Sequence, residues 1–383
     1  MQLPNTSDYL TWARDVSRLL HEKTDYVDLF NSAIHTPTKM LHADIQRANA
    51  ADLEERFEEP TGWGLPRLRS AISQTYHIDR SRILLTTGCS NALVLICHAF
   101  VRPGDHVIIE TPHYQPLSKV VEAFDARITW LPREGTNYQF DTDRLEETFT
   151  PDTRLIILSN LHNPSGTYLS DEVMQQVATI ARRHQVKVVV DEVYGDFVSR
   201  NLDEIRQGPA ATLDDCFISL NSFSKVYGLG ILRCGWLLAS AGVIEQLRPV
   251  HALFETGISH LTHSVASVIF TELERYRLHW VNTLADNHPL IQEFQQETVE
   301  KNLLEGELPT YGGIYFPRVV GVKDTLSLTQ WLARQHRVLV VPGEFFGKPG
   351  HIRVSYSGDP AQLREGLNRL ADGLSTYHPA PTD

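Results

Sequence analysis

Lys225 lies in Asn221-Ser222-Phe223-Ser224-Lys225-Val226-Tyr227-Gly228-Leu229-Gly230-Ile231-Leu232-Arg233-Cys234-Gly235-Trp236, between the apolar runs Cys216 to Leu220 and Leu237 to Ala239. A lysine in a turn between two buried strands is partly desolvated, which lowers its pKa and makes its amine a nucleophile. Ser222 and Ser224 before it and Arg233 after it are residue types that surround an anion, and the glycines let backbone approach closely. An amine beside an anion site is the arrangement a phosphorylated aldehyde needs. Ser-x-Ser-Lys by itself is equally at home on a surface turn, so other stretches must decide.

The run Arg82 to Thr86 is followed by Thr87-Gly88-Cys89-Ser90-Asn91 and the apolar stretch Ala92 to Val101. Strand, small-residue turn and helix N-terminus form a phosphate cradle, because free N–H groups and the helix dipole both favour an anion. No lysine follows the glycine, so this is not a nucleotide-binding loop of the Walker kind. Asp191 ends the run Val188-Val189-Val190, where a carboxylate needs a cationic partner. A protonated ring nitrogen is such a partner. Arg353, between Ile352 and Val354, is either an outward-facing strand residue or a bidentate clamp for a carboxylate. In the linker Asp25 to Pro37, Asn31, Ser32 and His35 are polar groups able to point into a site.

The elements that must position these residues alternate. Strand-like runs at His106 to Glu110, Ile128 to Leu131, Leu155 to Ser159, Val186 to Val190 and Phe217 to Leu220 are separated by helical stretches such as Pro116 to Phe124 and Asp171 to His184. The strands are continuous apolar runs, which predicts a mostly parallel sheet covered on both faces, with a site at the carboxyl ends of its strands. Those ends carry Thr111-Pro112-His113-Tyr114, Asn160-Leu161-His162-Asn163-Pro164-Ser165-Gly166 and Asp191-Glu192-Val193-Tyr194. Before them, Ser7 to Glu22 has helical spacing and is expected to pack as an arm against a neighbouring surface. After Trp236 a long helical region, Leu261 to Glu297, leads to a second lobe. There the sequence predicts a hairpin around Tyr311 to Pro317, a helix Ser327 to His336, a strand His351 to Tyr356 and a closing helix Pro360 to Leu374.

With these residues assembled, the chain resembles the class I/II aminotransferase family of fold type I pyridoxal-phosphate enzymes, from Gly64 to Arg353. The resemblance implies an α/β, aspartate aminotransferase-like fold: a large domain with a mostly parallel seven-stranded sheet at 41–284, a smaller α+β domain at 285–383, and an N-terminal arm at 1–40 shared with the smaller domain. It implies pyridoxal 5′-phosphate as cofactor, with Lys225 bonding its aldehyde, Asp191 pairing with the pyridinium nitrogen, Asn163 and Tyr194 bonding the ring hydroxyl, and Tyr114 stacking on the ring. Cys89, Ser90, Ser222, Ser224 and Arg233 would surround the phosphate. Arg353 and Asn163 would bind the substrate's α-carboxylate end, and the partner would be a second copy of the chain in a homodimer with composite sites.

Two positions depart from the family pattern. Ser32 stands where many members have glycine, and Glu59 stands where many have a phosphate-contacting tyrosine. A carboxylate beside a phosphate is repelled, so Glu59 is expected to turn toward the substrate. The stretch Glu22 to His35, the loop around Glu59 and Asn163-Pro164-Ser165-Gly166 are similar to members that dehydrate and cyclise a hydroxylated arginine, the capreomycidine or enduracididine type of cyclase. In that reading Glu59, Glu58 or both pair with the guanidinium and His35 assists the leaving hydroxyl. The alternative is an ordinary amino-acid aminotransferase.

Composition sets the outer bounds. With 383 residues and 42% hydrophobic content, the chain can bury a large core and a smaller second one. A net charge of −12 disfavours nucleic acid and anionic membrane as partners. The cysteines Cys89, Cys97, Cys216 and Cys234 form no CxxC pair, so no metal site is indicated and a reducing, cytoplasmic setting is expected. No run approaches about 18 apolar residues.

Overall fold

The computed structural model describes residues 6, 8–22, 25–50, 64–198, 208–255 and 259–378. A short strand β1 (Val27–Asp28) precedes the strands of the main sheet: β2 (Ile83–Thr86), β3 (His106–Thr111), β4 (Arg127–Pro132), β5 (Thr153–Ser159), β6 (Lys187–Asp191), β7 (Phe217–Ser222) and β8 (Gly235–Leu238). Their order is β2-β8-β7-β6-β5-β3-β4 in one seven-stranded sheet. Only β8 runs against its neighbours.

The apolar runs are continuous because both faces are covered. Successive strand residues point to opposite sides. Ile108, Ile156, Leu158, Val188, Val190 and Phe217 therefore enter one core with Met174 and Val177 of the helix Asp171–Arg183. Val107, Ile109, Leu155, Ile157, Val189 and Ile218 enter another with Leu95 and Ile96 of the helix Cys89–Phe100. Each such side chain contributes about 1.5–3 kcal/mol on burial, so a one-residue slip of any central strand is strongly disfavoured. The parallel strands β3, β5, β6 and β7 end on one side of the sheet at Thr111, Ser159, Asp191 and Ser222.

The second lobe contains β9 (Leu304–Glu305), β10 (Ile314–Tyr315), β11 (Arg318–Val319), β12 (Val338–Leu339), β13 (Val341–Pro342) and β14 (Ile352–Ser355). The hairpin expected around Tyr311 to Pro317 does not form: β10 pairs with β14, and β11 with β9. Pro317 has no N–H to return across a hairpin, and its carbonyl instead accepts from Ile352 N–H at 3.1 Å. The helical region expected from Leu261 to Glu297 is two helices, His260–Thr271 and Leu273–Glu300. Leu284 on the second touches the cores of both lobes.

The N-terminal helix Tyr9–Glu22 buries Tyr9, Trp12, Val16 and Leu19 against Phe30, Leu339, Phe345 and Phe346 of the same chain. Its apolar face is thus satisfied within the chain. The segment after it, expected to be an irregular linker, is stitched to both lobes. Leu29 N–H donates to Leu339 O at 2.9 Å, Ser355 N–H donates to Leu29 O at 2.8 Å, and Ile34 N–H donates to Lys225 O at 3.0 Å. Gly228 makes this last crossing possible: its φ is 67°, and a Cβ there would lie 2.5 Å from Ile34 O. Among the described residues no helix is long and apolar enough to cross a membrane, and all four cysteines are free.

Candidate active site

Two chambers meet at Lys225. The first, of about 200 Å³, is lined by Cys89, Ser90, Tyr114, Asp191, Ser222, Ser224, Lys225 and Arg233 among others. The second, of about 410 Å³, is lined by Tyr9, Asp28, Phe30, Asn31, Ser32, Tyr114 and Lys225 among others. Lys225 and Tyr114 belong to both walls. The lysine amine donates to Ser32 Oγ at 3.4 Å, and burial holds its pKa below the ordinary lysine range.

The first chamber fits a phosphorylated pyridine aldehyde. Gly88, with φ 82°, caps the helix Cys89–Phe100, and a Cβ on it would stand 2.8 Å from Arg233 Nη2. Only glycine leaves the guanidinium and the helix N-terminus open to one anion. At the other end of the chamber Asp191 Oδ1 accepts from Val193 N–H at 3.2 Å. Burial pushes this carboxyl up to about 6, as expected of a carboxylate awaiting a cation.

Asn163, Tyr194 and Arg353 back these walls. Ser32 Oγ and Tyr194 Oη share a hydrogen bond of 2.6 Å, and burial raises the tyrosine's pKa. Arg353 is 1% exposed, which decides between the two readings of this strand residue in favour of the interior. Its Nη1 donates to Asn163 Oδ1 at 2.9 Å and its Nη2 to Phe30 O at 2.8 Å. Its Nε is buried without a hydrogen-bond partner, and no carboxylate among the described residues lies within ion-pair distance. A buried guanidinium left in this state is set to receive an anion.

Of the residues singled out in the sequence, Cys89, Ser90, Tyr114, Asp191, Ser222, Ser224, Lys225, Arg233 and Ser32 line the two chambers, and Asn163, Tyr194 and Arg353 adjoin them. His35 does not join them. Its ring packs edge-on against His279, with centroids 4.6 Å apart, in a cleft bounded by Asp28, Asn31, Asp359 and Gln362. Glu59 lies outside the described residues.

Three features escaped sequence reasoning. Asp28 lines the second chamber; its position between Val27 and Leu29 is the same signal that drew attention to Asp191. Glu255, 5% exposed, accepts from Thr87 N–H and Oγ1 at 2.7 Å each and from Asn91 Nδ2 at 2.6 Å, pinning the cradle turn. Arg133 donates twice to Glu110 Oε2, at 2.8 and 2.6 Å, with both side chains fully buried. The other Glu110 oxygen accepts from Ser159 N–H and Oγ, and Ser159 Oγ accepts from Asn163 N–H at 3.3 Å. Breaking such a buried pair typically costs about 3–5 kcal/mol, so the loop bearing Asn163 rests on a rigid support.

Residues 26–370 match the family model for aminotransferase class I and II, and the chain belongs to that family. It is a pyridoxal 5′-phosphate-dependent enzyme. It is 27% identical to the capreomycidine synthase of Streptomyces vinaceus, over 96% of this chain and 93% of that one. It is 26% identical to the aspartate aminotransferase of Pyrococcus horikoshii, over 94% of each. A mutant of the Thermus thermophilus aspartate aminotransferase superposes with a TM-score of 0.82 at 21% identity, covering 97% of each chain, which establishes the aspartate aminotransferase-like fold.

Proposed function

We propose that the enzyme dehydrates and cyclises a hydroxylated arginine to a cyclic guanidine amino acid. The observation that carries an α-amino-acid substrate is the buried Arg353 guanidinium, held by Asn163 and the Phe30 carbonyl beside the chamber that Lys225 enters. The similarity to a capreomycidine synthase over nearly the whole chain supports the cyclising reaction. The aspartate aminotransferase relative, at almost equal identity, supports transamination as the second reading.

In the assigned roles, Cys89, Ser90, Ser222, Ser224 and Arg233 bind the cofactor phosphate, Tyr114 packs on its ring, Asn163 and Tyr194 bond its hydroxyl and Asp191 pairs with its ring nitrogen. Bound pyridoxal 5′-phosphate supplies an electron sink for the charge left when a bond to Cα breaks. Arg353 orients the substrate by its carboxylate. Lys225 Nζ, its pKa lowered by burial, takes the Cα proton. A hydroxyl on the neighbouring carbon leaves as water, a guanidine nitrogen forms the new C–N bond and gives up its proton, and Cα regains one; the net loss is one water. Glu59 and His35 are given no part in these steps: Glu59 lies outside the described residues, and the His35 ring packs on His279 outside both chambers.

Incubation with hydroxyarginine, with and without a 2-oxo acid, distinguishes the readings by product mass. Loss of one water without any oxo acid is expected. A product formed only with the oxo acid, carrying a ketone in place of the amine, would establish transamination instead.

We further propose a homodimer with composite sites, and the division into 41–284 and 285–383 with the arm 1–40. Ile231, Leu253, Phe254 and Leu261 are 79, 67, 50 and 56% exposed, and Ile231 stands two residues from Arg233. Apolar side chains of this size left in solvent beside a site mark an interface. Light scattering of the active enzyme should return the mass of two chains. A single-chain mass at full activity overturns this.

A further inference from the structure

Asp28 has chemistry that the assigned roles leave unused. It ends β1, and its Oδ1 accepts both Phe30 N–H and Asn31 N–H at 2.9 Å. No described donor reaches Oδ2, and among the described residues no cation lies within ion-pair distance of the carboxylate. The residue lines the second chamber together with Asn31, Ser32 and Lys225. A carboxylate walled into such a cavity is costly unless something cationic completes it.

Phe30 sets the spacing of the two charges. Its N–H is bonded to Asp28 and its carbonyl to Arg353, so one residue holds an anion at one end and a cation at the other. Standard backbone dimensions then keep the bonded Asp28 oxygen and the Arg353 nitrogen within about 9 Å of each other. An amino acid whose side chain ends in a cation carries the opposite pair of charges within the same limit. The chamber's volume of about 410 Å³ falls in the range that houses small-molecule ligands.

We infer that Asp28 is the specificity-determining partner of the substrate's distal cation, a guanidinium, while Arg353 takes its α-carboxylate. This rests on the guanidine reading of the substrate given above, and adds the residue that recognises it. Tyr9, on the N-terminal helix, and Tyr114 together form an aromatic wall along which the aliphatic stem would lie. Their rings pack edge-on with centroids 5.3 Å apart.

The test is calorimetric binding of L-arginine and of L-citrulline, its neutral near-isostere, to the cofactor-loaded wild type and to Asp28→Asn. Asparagine keeps the Oδ1 that accepts the two backbone amides, so the turn is preserved and only the charge is removed. Wild type is expected to prefer arginine by about 30-fold or more, the usual effect of one desolvated charge partner. Asp28→Asn should bring the two affinities within about threefold, mainly by weakening arginine. Asp28→Glu, which restores the charge, should recover a preference for arginine; a variant that is merely misfolded would lose both ligands and would not be rescued in this way. If Asp28→Asn changes both affinities by the same factor, Asp28 is only a counter-ion of Arg353 and the inference fails while the guanidine reading stands. If wild type itself fails to prefer arginine, the guanidine reading fails and this inference with it.

Discussion

Lys225→Ala is expected to remove turnover, by a factor of at least about 10²–10⁴ for the lost proton transfer alone and by more for the lost covalent attachment. The fold should survive, because among the described residues the amine makes one long hydrogen bond, 3.4 Å to Ser32 Oγ, while the backbone bond from Ile34 N–H to Lys225 O does not depend on the side chain. The Gly88 turn and Arg233 remain, so the variant should still bind cofactor by its phosphate. Borohydride treatment followed by peptide mass analysis separates attachment from binding. In wild type the cofactor should be fixed to the peptide carrying Lys225; in the variant it should remain removable by dialysis. Full activity in Lys225→Ala, or attachment at another lysine, would sink the assignment of both chambers.

Asp191→Asn is expected to lower turnover by about 10²–10³-fold, the scale of removing one preorganised electrostatic group from a buried site, while making the cofactor-free protein more stable. Burial pushes the Asp191 carboxyl up to about 6, whereas an unfolded aspartate titrates near 4. Between those values the folded chain holds a proton that the unfolded chain has released. Stability from this group therefore falls as pH rises through about 4 to 6, with a cost above pH 6 of roughly 3 kcal/mol. Denaturant unfolding of the cofactor-free forms at pH 5 and pH 7.5 should show the variant's advantage widening at the higher pH. With cofactor present the order should reverse, because the wild-type carboxylate then has its cationic partner. An advantage that does not change with pH would mean that Asp191 is already paired within the chain.

The sequence alone determined the main sheet and most of the first chamber. The runs Val188-Val189-Val190 and Leu155 to Leu158 read as strands buried on both faces, and strands of that kind carry their polar residues at one end. The cradle Thr87 to Asn91, Asp191 and Lys225 were legible because each is a local break in a regular pattern: a glycine before an apolar helix, or a charge closing an apolar run. What the pattern could not tell was which distant segment each charge would meet. Arg353 read equally well as an outward strand residue until β14 was seen to be buried along its whole length. Ser32 was a polar residue in a linker until its hydroxyl was found on Tyr194. Glu255 and Thr87, or Glu110 and Arg133, signal nothing singly, since hydrogen-bond partnership depends on where the chain returns and not on local period. His35 was placed with the site by its nearness to Ser32 in sequence, but the chain turns between them and its ring faces His279. Asp28 shows the same limit from the other side: its apolar neighbours betrayed a buried carboxylate, yet only the path of residues 27–34 across both lobes put that carboxylate in the chamber of Lys225.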